Sequence, residues 1–66
     1  MEHYKVCVNN VPENAYEYIV CRLVNSQLWY YSSFANREIA EKELERLEEF
    51  DDNVVIVRKE TVDDSL

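Results

Sequence analysis

A single segment of the chain has helical periodicity, and every other patterned segment alternates as a β-strand does. In the segment 37–50, Ala40, Leu44 and Leu47 recur at i, i+4 and i+7, with charged residues between them. Ile39 and Phe50 flank this stripe. Such spacing is typical of an amphipathic helix with one apolar face. Because one helix can cover only one face of a sheet, the pattern predicts a two-layer fold in which the second face of the sheet has no helix to cover it.

Four segments have the alternation and the β-branched and aromatic composition of strands. They span residues 4–8, 17–24, 27–33 and 54–58, and the helix separates the last two. The predicted order is therefore β-β-β-α-β, an α+β fold with a small, mostly antiparallel sheet and one helix packed on one face. The continuous apolar run of the fourth strand predicts an inner or two-faced position in the sheet.

The length of 66 residues allows one domain. We assign residues 1–60 to it and expect residues 61–66 to be a flexible acidic tail. The chain contains no glycine, so asparagine is the natural residue wherever φ is positive. Asn25-Ser26 is the predicted turn between the second and third strands. The other candidates for positive φ are Asn9, Asn10 and Asn53. Asn36 is the expected N-cap of the helix, with Ser33 as the rival.

The formal net charge of −7 limits the classes of partner. Direct binding of nucleic acid needs lysine and arginine to replace counterions on phosphate. Binding to anionic lipid needs the same positively charged residues. Protein partners remain, and basic ones are favoured by long-range attraction. The chain has no apolar run long enough for a membrane span and no signal-peptide pattern at residues 1–5. A cytoplasmic location with reduced cysteines is therefore expected.

The residues needed for site chemistry are absent from the sequence or far apart. His3, Cys7 and Cys21 do not have zinc-ligand spacing. The chain has no glycine-rich phosphate loop and no Ser-His-Asp combination. We therefore expect no metal, no cofactor and no enzymatic activity.

The predicted hairpin sorts the second and third strands into two faces, because the side-chain period is two. With Asn25-Ser26 as the turn, Arg22 faces Trp29 and Val20 faces Tyr31. We expect the helix to pack on the other face, which carries Ile19, Cys21, Leu23, Leu28 and Tyr30, with Tyr4 and Val6 added by a first strand lying beside the second.

The face left uncovered is rich in aromatic residues, where a solvated face would carry Thr, Lys and Glu. One interpretation is that these residues merely pack across the strands. The other is a binding surface, because Trp, Tyr and Arg are enriched in interface hot spots, with a homodimer as the first expectation. Stacking of single-stranded bases is a third, which the charge disfavours. The residues predicted to bind a partner are Tyr18, Val20, Arg22, Trp29 and Tyr31.

Carboxylates line the helix and the turn after it, interrupted by Lys42 and Arg46. One interpretation is a solvated helix face. The alternative is a surface that presents carboxylates to a basic protein and, in the extreme, imitates the phosphates of nucleic acid in the groove of a host enzyme. We define this acidic face as Glu38, Glu41, Glu45, Glu48, Glu49 and Asp52.

The segment Tyr-Ile-Val-Cys-Arg-Leu-Val-Asn-Ser-Gln-Leu-Trp-Tyr-Tyr-Ser-Ser-Phe, residues 18–34, leads into an acidic Arg-Glu-Ile-Ala-Glu helix. Over residues 18–58 the chain resembles small uncharacterised proteins of phages and bacterial mobile elements. In these proteins a hairpin ending in a Leu-Trp-Tyr strand leads into a short Glu-rich helix and a last strand. The resemblance implies a phage- or prophage-encoded protein, a class in which small acidic binders of host proteins are frequent, and it carries no catalytic residues.

Overall fold

The structure, a computed structural model, describes residues 6–63. The strands are β1 (Val6–Asn9), β2 (Tyr18–Val24), β3 (Gln27–Phe34), β4 (Val54–Arg58) and β5 (Val62–Asp63). Helix α1 (Arg37–Glu48) joins β3 to β4, and a 3-10 turn (Lys59–Thr61) joins β4 to β5. The predicted α+β class with the order β-β-β-α-β is confirmed, and β5 is an additional short strand.

The five strands form one mixed sheet in the order β4-β2-β3-β1-β5. β2 pairs antiparallel with both β3 and β4. β1 pairs parallel with β3, and also parallel with β5. The prediction that the first strand lies beside the second is therefore wrong. The β2–β3 hairpin occupies the central positions, and β1 adds to the outer edge of β3.

The hairpin turn follows the prediction. Asn25 has a φ of 52° and Ser26 a φ of 67°, so both central residues are left-handed, as a type I′ turn requires. Asn10 also has a positive φ, of 66°. In a chain without glycine, two of the predicted asparagines and one serine take these conformations.

The register is the predicted one from the turn as far as Cys21 and Tyr30, and a β-bulge then shifts it. Val20 pairs with Ser32 and Tyr18 with Phe34, so Tyr31 is the extra residue of the bulge. The prediction that Val20 faces Tyr31 is wrong for this reason.

The helix begins at the predicted cap. The Asn36 side-chain oxygen accepts hydrogen bonds from the backbone N–H of Glu38 (2.8 Å) and of Ile39 (3.3 Å). These bonds satisfy two of the amide groups that have no partner within the helix. The helix ends at Glu48, and the backbone N–H groups of Phe50 and Asp51 both donate to the Leu47 carbonyl at 2.9 Å.

The side of the sheet that carries Ile19 and Cys21 packs against strands and a loop. Both side chains are fully buried in a cluster with Val8 and Ala15. The cluster contains no residue of α1; its partly buried members are Val6, Val11, Leu28, Tyr30, Val57 and Val62. β1, β5 and the segment before β2 therefore fill this side of the sheet.

Helix α1 covers the opposite side and lies against β4, β2 and β3. Ala40 of the helix and Val20 of β2 are fully buried, and Val54 is 5% exposed. Register places Val54 opposite Arg22 and hence on the Val20 side. The predicted apolar stripe is confirmed at Ala40, but its assignment to the Ile19 side is wrong. The flanking Ile39 and Phe50 are exposed.

The predicted tail begins later than expected. Val62 pairs with Val6 of β1, so residues 62–63 belong to the sheet, and residues 64–66 lie outside the described residues. For β4 the sequence predicted an inner or two-faced position. The strand lies at one end of the strand order, so it is not an inner strand, but it is two-faced: Val54 is buried on the helix side and Val57 packs against the Ile19 cluster on the other.

A candidate protein-interaction site

The end of the sheet next to the hairpin turn carries a group of half-exposed apolar side chains beyond the part covered by the helix. Trp29 is 38% exposed, Val24 41% and Tyr31 44%. They surround a depression of about 330 Å³. We call this surface the aromatic corner and define it by the residues that line it: Arg22, Val24, Asn25, Gln27, Trp29, Tyr30 and Tyr31.

The structure brings three of the five predicted binding residues together at this corner: Arg22, Trp29 and Tyr31. Val20 has no exposed surface, because it lies on the side that α1 covers, so it offers nothing to a partner. Tyr18 is half-buried and begins β2, at the end of the strand far from the turn. The uncovered face predicted from the sequence is thus reduced to a corner.

Val24 and Gln27 also line the corner and were not among the predicted binding residues. They are the last residue of β2 and the first of β3, and they pair directly beside the turn. Their alternation with Arg22 and Trp29 already assigned them to the same face. Their exposure depends on where the helix stops, which the strand pattern does not reveal.

An ion pair connects the corner to the end of the helix. Arg22 donates to Asp51 Oδ2 from Nε at 3.1 Å and from Nη2 at 3.0 Å. The other carboxylate oxygen, Oδ1, accepts a hydrogen bond from the Asn53 backbone N–H at 2.9 Å. The Asn53 hydrogen bond and then the guanidinium lower the pKa of Asp51. The two bonds to Asp51 therefore hold the side chain of Arg22, which is one of the residues that line the depression.

A second ion pair lies on the helix side of the corner. Arg46 Nε donates to Glu43 Oε1 at 3.2 Å, and Nη2 donates to Oε2. These bonds raise the pKa of Arg46, to which the nearby Tyr31 also contributes. Tyr31 and Arg46 are thus close enough to interact electrostatically, and Arg46, like Arg22 at the corner, has a carboxylate partner.

All six residues of the acidic face are exposed. Arg37 pairs with Glu41 at 3.0 Å. Within residues 6–63, the other members have no ion pair: Glu38, Glu45, Glu48, Glu49 and Asp52. The two arginines of the helix are thus paired with Glu41 and Glu43, and Lys42 is the one helix cation without an ion pair among residues 6–63. Carboxylates without an ion pair are most frequent toward the C-terminal end of α1, beside the aromatic corner.

No three His, Cys, Asp or Glu side chains of residues 6–63 are grouped to hold a metal ion. Among these same residues, no helix has the length and apolar character needed to cross a membrane. Burial raises the pKa of the Cys21 thiol to about 11, so this thiol is a poor nucleophile at neutral pH.

Comparisons of the chain with known protein families, with curated proteins and with solved structures gave no match.

Proposed function

We propose that the chain is a protein-interaction module that binds a partner protein through the aromatic corner. The observation that carries the proposal is the exposure of Trp29, Tyr31 and Val24 around one depression beyond the end of the helix. Tryptophan, tyrosine and arginine are the residues most enriched in interface hot spots. The depression is large enough for one or two projecting side chains of a partner.

The charge distribution favours a basic partner. The net charge of −7 attracts cationic proteins over distances of a Debye length. At the corner itself, Arg22 and Arg46 are paired with carboxylates, so they do not repel a cation. A lysine or arginine of the partner also gains from contact with the faces of Trp29 and Tyr31. We therefore propose a basic cytoplasmic protein with exposed apolar side chains as the partner.

Calorimetric titration with two synthetic peptides of equal length, one alternating Lys and Leu and one alternating Glu and Leu, tests this proposal. We expect the Lys-Leu peptide to bind and the Glu-Leu peptide not to bind. Trp29→Ala should weaken binding of the Lys-Leu peptide at least ~10-fold, as loss of a hot-spot residue does. The matched control is Tyr16→Ala, because Tyr16 is 60% exposed and precedes β2 at the far end of the sheet. Equal loss in both variants, or loss in neither, contradicts the proposal.

The sequence also led us to expect self-association through this surface, and the emission of Trp29 tests that expectation. Trp29 is the only tryptophan of the chain. If two corners meet, its emission moves to shorter wavelength as the protein concentration rises, because the indole leaves water. If the corner binds another protein instead, the emission stays constant with concentration and changes only when the partner is added.

The acidic face supports a second candidate function, inhibition of a host nucleic-acid enzyme by imitation of phosphates. The specific observation is the set of exposed carboxylates without an ion pair in the described part of α1 and the following turn. Charge reversal of Glu45 and Glu48 to lysine should abolish competition with DNA for such an enzyme, and added salt should weaken it. Trp29→Ala should leave this competition unchanged.

A further inference from the structure

Phe50, in the turn after helix α1, is the most exposed large apolar side chain of residues 6–63, at 82%. Its backbone is held in place, because Phe50 N–H donates to the Leu47 carbonyl at 2.9 Å. Its ring adds almost nothing to the core, although a buried phenylalanine is among the larger contributors to the stability of a fold. The packing of the fold therefore does not account for a phenylalanine at this position.

The turn that carries Phe50 lies beside the aromatic corner. Asp51, the next residue, accepts two hydrogen bonds from Arg22, at 3.1 and 3.0 Å, and Arg22 lines the depression. About one helical turn before Phe50, Arg46 is close enough to Tyr31 of the corner to interact electrostatically. A protein partner commonly covers about 800 Å² of the surface it binds. A partner seated on the corner therefore also reaches the neighbouring turn.

The charges around Phe50 have one sign. Glu48, Glu49 and Asp52 are exposed and have no ion pair among residues 6–63. The sequence contains no lysine or arginine between residues 47 and 57. A cationic side chain of a partner is attracted to this turn, and an anionic one is repelled. The surroundings of Phe50 thus select an apolar surface that lysine or arginine borders.

From this exposure, position and charge, we propose that Phe50 is a second anchor for the partner of the aromatic corner. It packs into an apolar surface of that partner, and lysine or arginine residues at its border meet the carboxylates of the turn. The two contacts differ in direction, because the corner receives side chains of the partner whereas Phe50 projects into it. The second anchor depends on the proposed function, since it needs a partner seated at the corner.

The charges disfavour a second copy of the chain as this partner. Each copy has a net charge of −7. The arginines nearest the corner, Arg22 and Arg46, are already paired with carboxylates. A corner of one copy placed on Phe50 of another would therefore bring unpaired carboxylates together without a free cation between them, which is unfavourable.

A tryptophan placed at position 50 reports the contact directly. In the variant Trp29→Phe with Phe50→Trp, this residue is the only tryptophan of the chain, and an aromatic ring remains at the corner. We expect its emission to move to shorter wavelength when the Lys-Leu peptide is added, because the indole leaves water. The matched control is Trp29→Phe with Ile39→Trp, since Ile39 is 52% exposed in the first turn of the same helix. Its emission should stay constant while calorimetry shows that the peptide binds.

The affinity for the same peptide tests the contribution of the ring. Phe50→Ser should weaken binding about 5-fold or more, as the loss of an anchor residue does. Phe50→Leu keeps an apolar side chain and should retain most of the affinity. Ile39→Ser is the control and should bind like the original protein. Phe50→Ser should leave the midpoint of urea unfolding unchanged, because the ring lies outside the core.

The carboxylates of the turn are tested at constant net charge. Glu48→Gln with Glu49→Gln removes two charges beside Phe50, and Glu13→Gln with Glu38→Gln removes two elsewhere. All four residues are exposed and have no ion pair among residues 6–63. The first pair should weaken binding of the Lys-Leu peptide several-fold more than the second, and added salt should reduce the difference. Equal effects of the two pairs would contradict a local role of these carboxylates.

The outcomes separate the second anchor from the proposed function. If the Lys-Leu peptide does not bind the original protein, the proposed function fails and the second anchor fails with it. If Trp29→Ala weakens binding but Phe50→Ser does not, and the emission at position 50 stays constant, only the second anchor is overturned. An emission at position 50 that shifts with protein concentration alone also overturns it, and assigns the contact to a second copy of the chain.

Discussion

At the scale of single residues, Cys21 shows how burial changes the chemistry of a side chain. The thiol is fully buried, and its pKa is about 11 against an ordinary value of 9.0. Above about pH 9 the unfolded chain loses this proton while the folded chain keeps it. The unfolding free energy should therefore fall as the pH rises from about 9 to 11, by roughly 2–3 kcal/mol from this group alone.

Urea unfolding at a series of alkaline pH values measures this loss. Tyrosine and lysine also titrate in the range, so the informative quantity is the difference between the original protein and Cys21→Ala. The variant is less stable at neutral pH because of the lost packing, and its stability should fall less steeply above about pH 9. Parallel pH profiles for the two proteins would show that the thiol does not contribute.

The turn residue Ser26 is a second residue whose conformation has a measurable cost. Its φ of 67° is unfavourable for any residue with a Cβ atom, by about 1–2 kcal/mol. Ser26→Gly should remove this cost and raise the unfolding free energy by about 0.5–1 kcal/mol, after the entropy of glycine in the unfolded chain is subtracted. Ser26→Ala, which retains the Cβ atom, should give no such increase in urea unfolding.

The features that were predicted well from the sequence are those that depend on local interactions. The Asn25 turn and the Asn36 cap depend on a few neighbouring atoms, so the residue type alone indicates them. Nothing comparable marks Tyr31 as the extra residue of a bulge. A bulge depends on how two strands meet, and an aromatic residue fits a regular strand equally well.

At the scale of elements, all four predicted strands and the helix exist, but the side of the sheet on which the helix lies was predicted incorrectly. Both faces of the hairpin are apolar, with Ile19 and Cys21 on one and Val20 on the other. Binary patterning therefore does not discriminate between them. The position of β1 determines which face the helix covers. β1 adds in parallel to the far edge of β3 and, together with β5, packs on the Ile19 side, so the Val20 side is left for the helix.

The helix cap affects more than the helix, because α1 covers Val20 and Val54. Asn36→Ala removes the side-chain oxygen that accepts from two backbone N–H groups, and should lower the unfolding free energy by about 1 kcal/mol. Asn36→Ser keeps an acceptor and should cost a few tenths of that at most. Urea unfolding followed by circular dichroism and by Trp29 emission should give coincident transitions, since the helix and the sheet share one buried layer. A helix transition that precedes the Trp29 transition would contradict this coupling.

At the scale of the whole molecule, charge is the property that the sequence predicted directly. The net charge of −7 follows from the composition alone, whereas the distribution of charge over the surface depends on the fold. Arginine residues 22, 37, 46 and 58 each bind a carboxylate, and five of the six carboxylates of the acidic face have no ion pair among residues 6–63. Solvent-exposed ion pairs contribute little to stability, whereas the net charge repels itself across the whole of a small molecule.

Added salt should therefore stabilise the folded chain. Between about 10 mM and 0.15 M salt the Debye length falls from about 30 Å to about 8 Å. The principal-axis extents of the molecule, 34 × 28 × 25 Å, lie between these limits or near the upper one. Repulsion across the molecule thus acts in the first condition and is screened in the second. We expect the unfolding free energy to rise on the order of 1 kcal/mol over this range, measured by urea unfolding.

The double substitution Glu48→Gln and Glu49→Gln separates this repulsion from other effects of salt. Both residues are exposed and neither makes an ion pair in the described part of the chain, so their loss removes negative charge without breaking a contact. The variant should be more stable than the original protein at low salt and nearly equal to it at high salt. A fall in stability with added salt would instead mean that the ion pairs, such as Arg22 with Asp51, outweigh the net repulsion. The acidic surface would then stabilise the fold, and neutralising Glu48 and Glu49 would bring no gain at low salt.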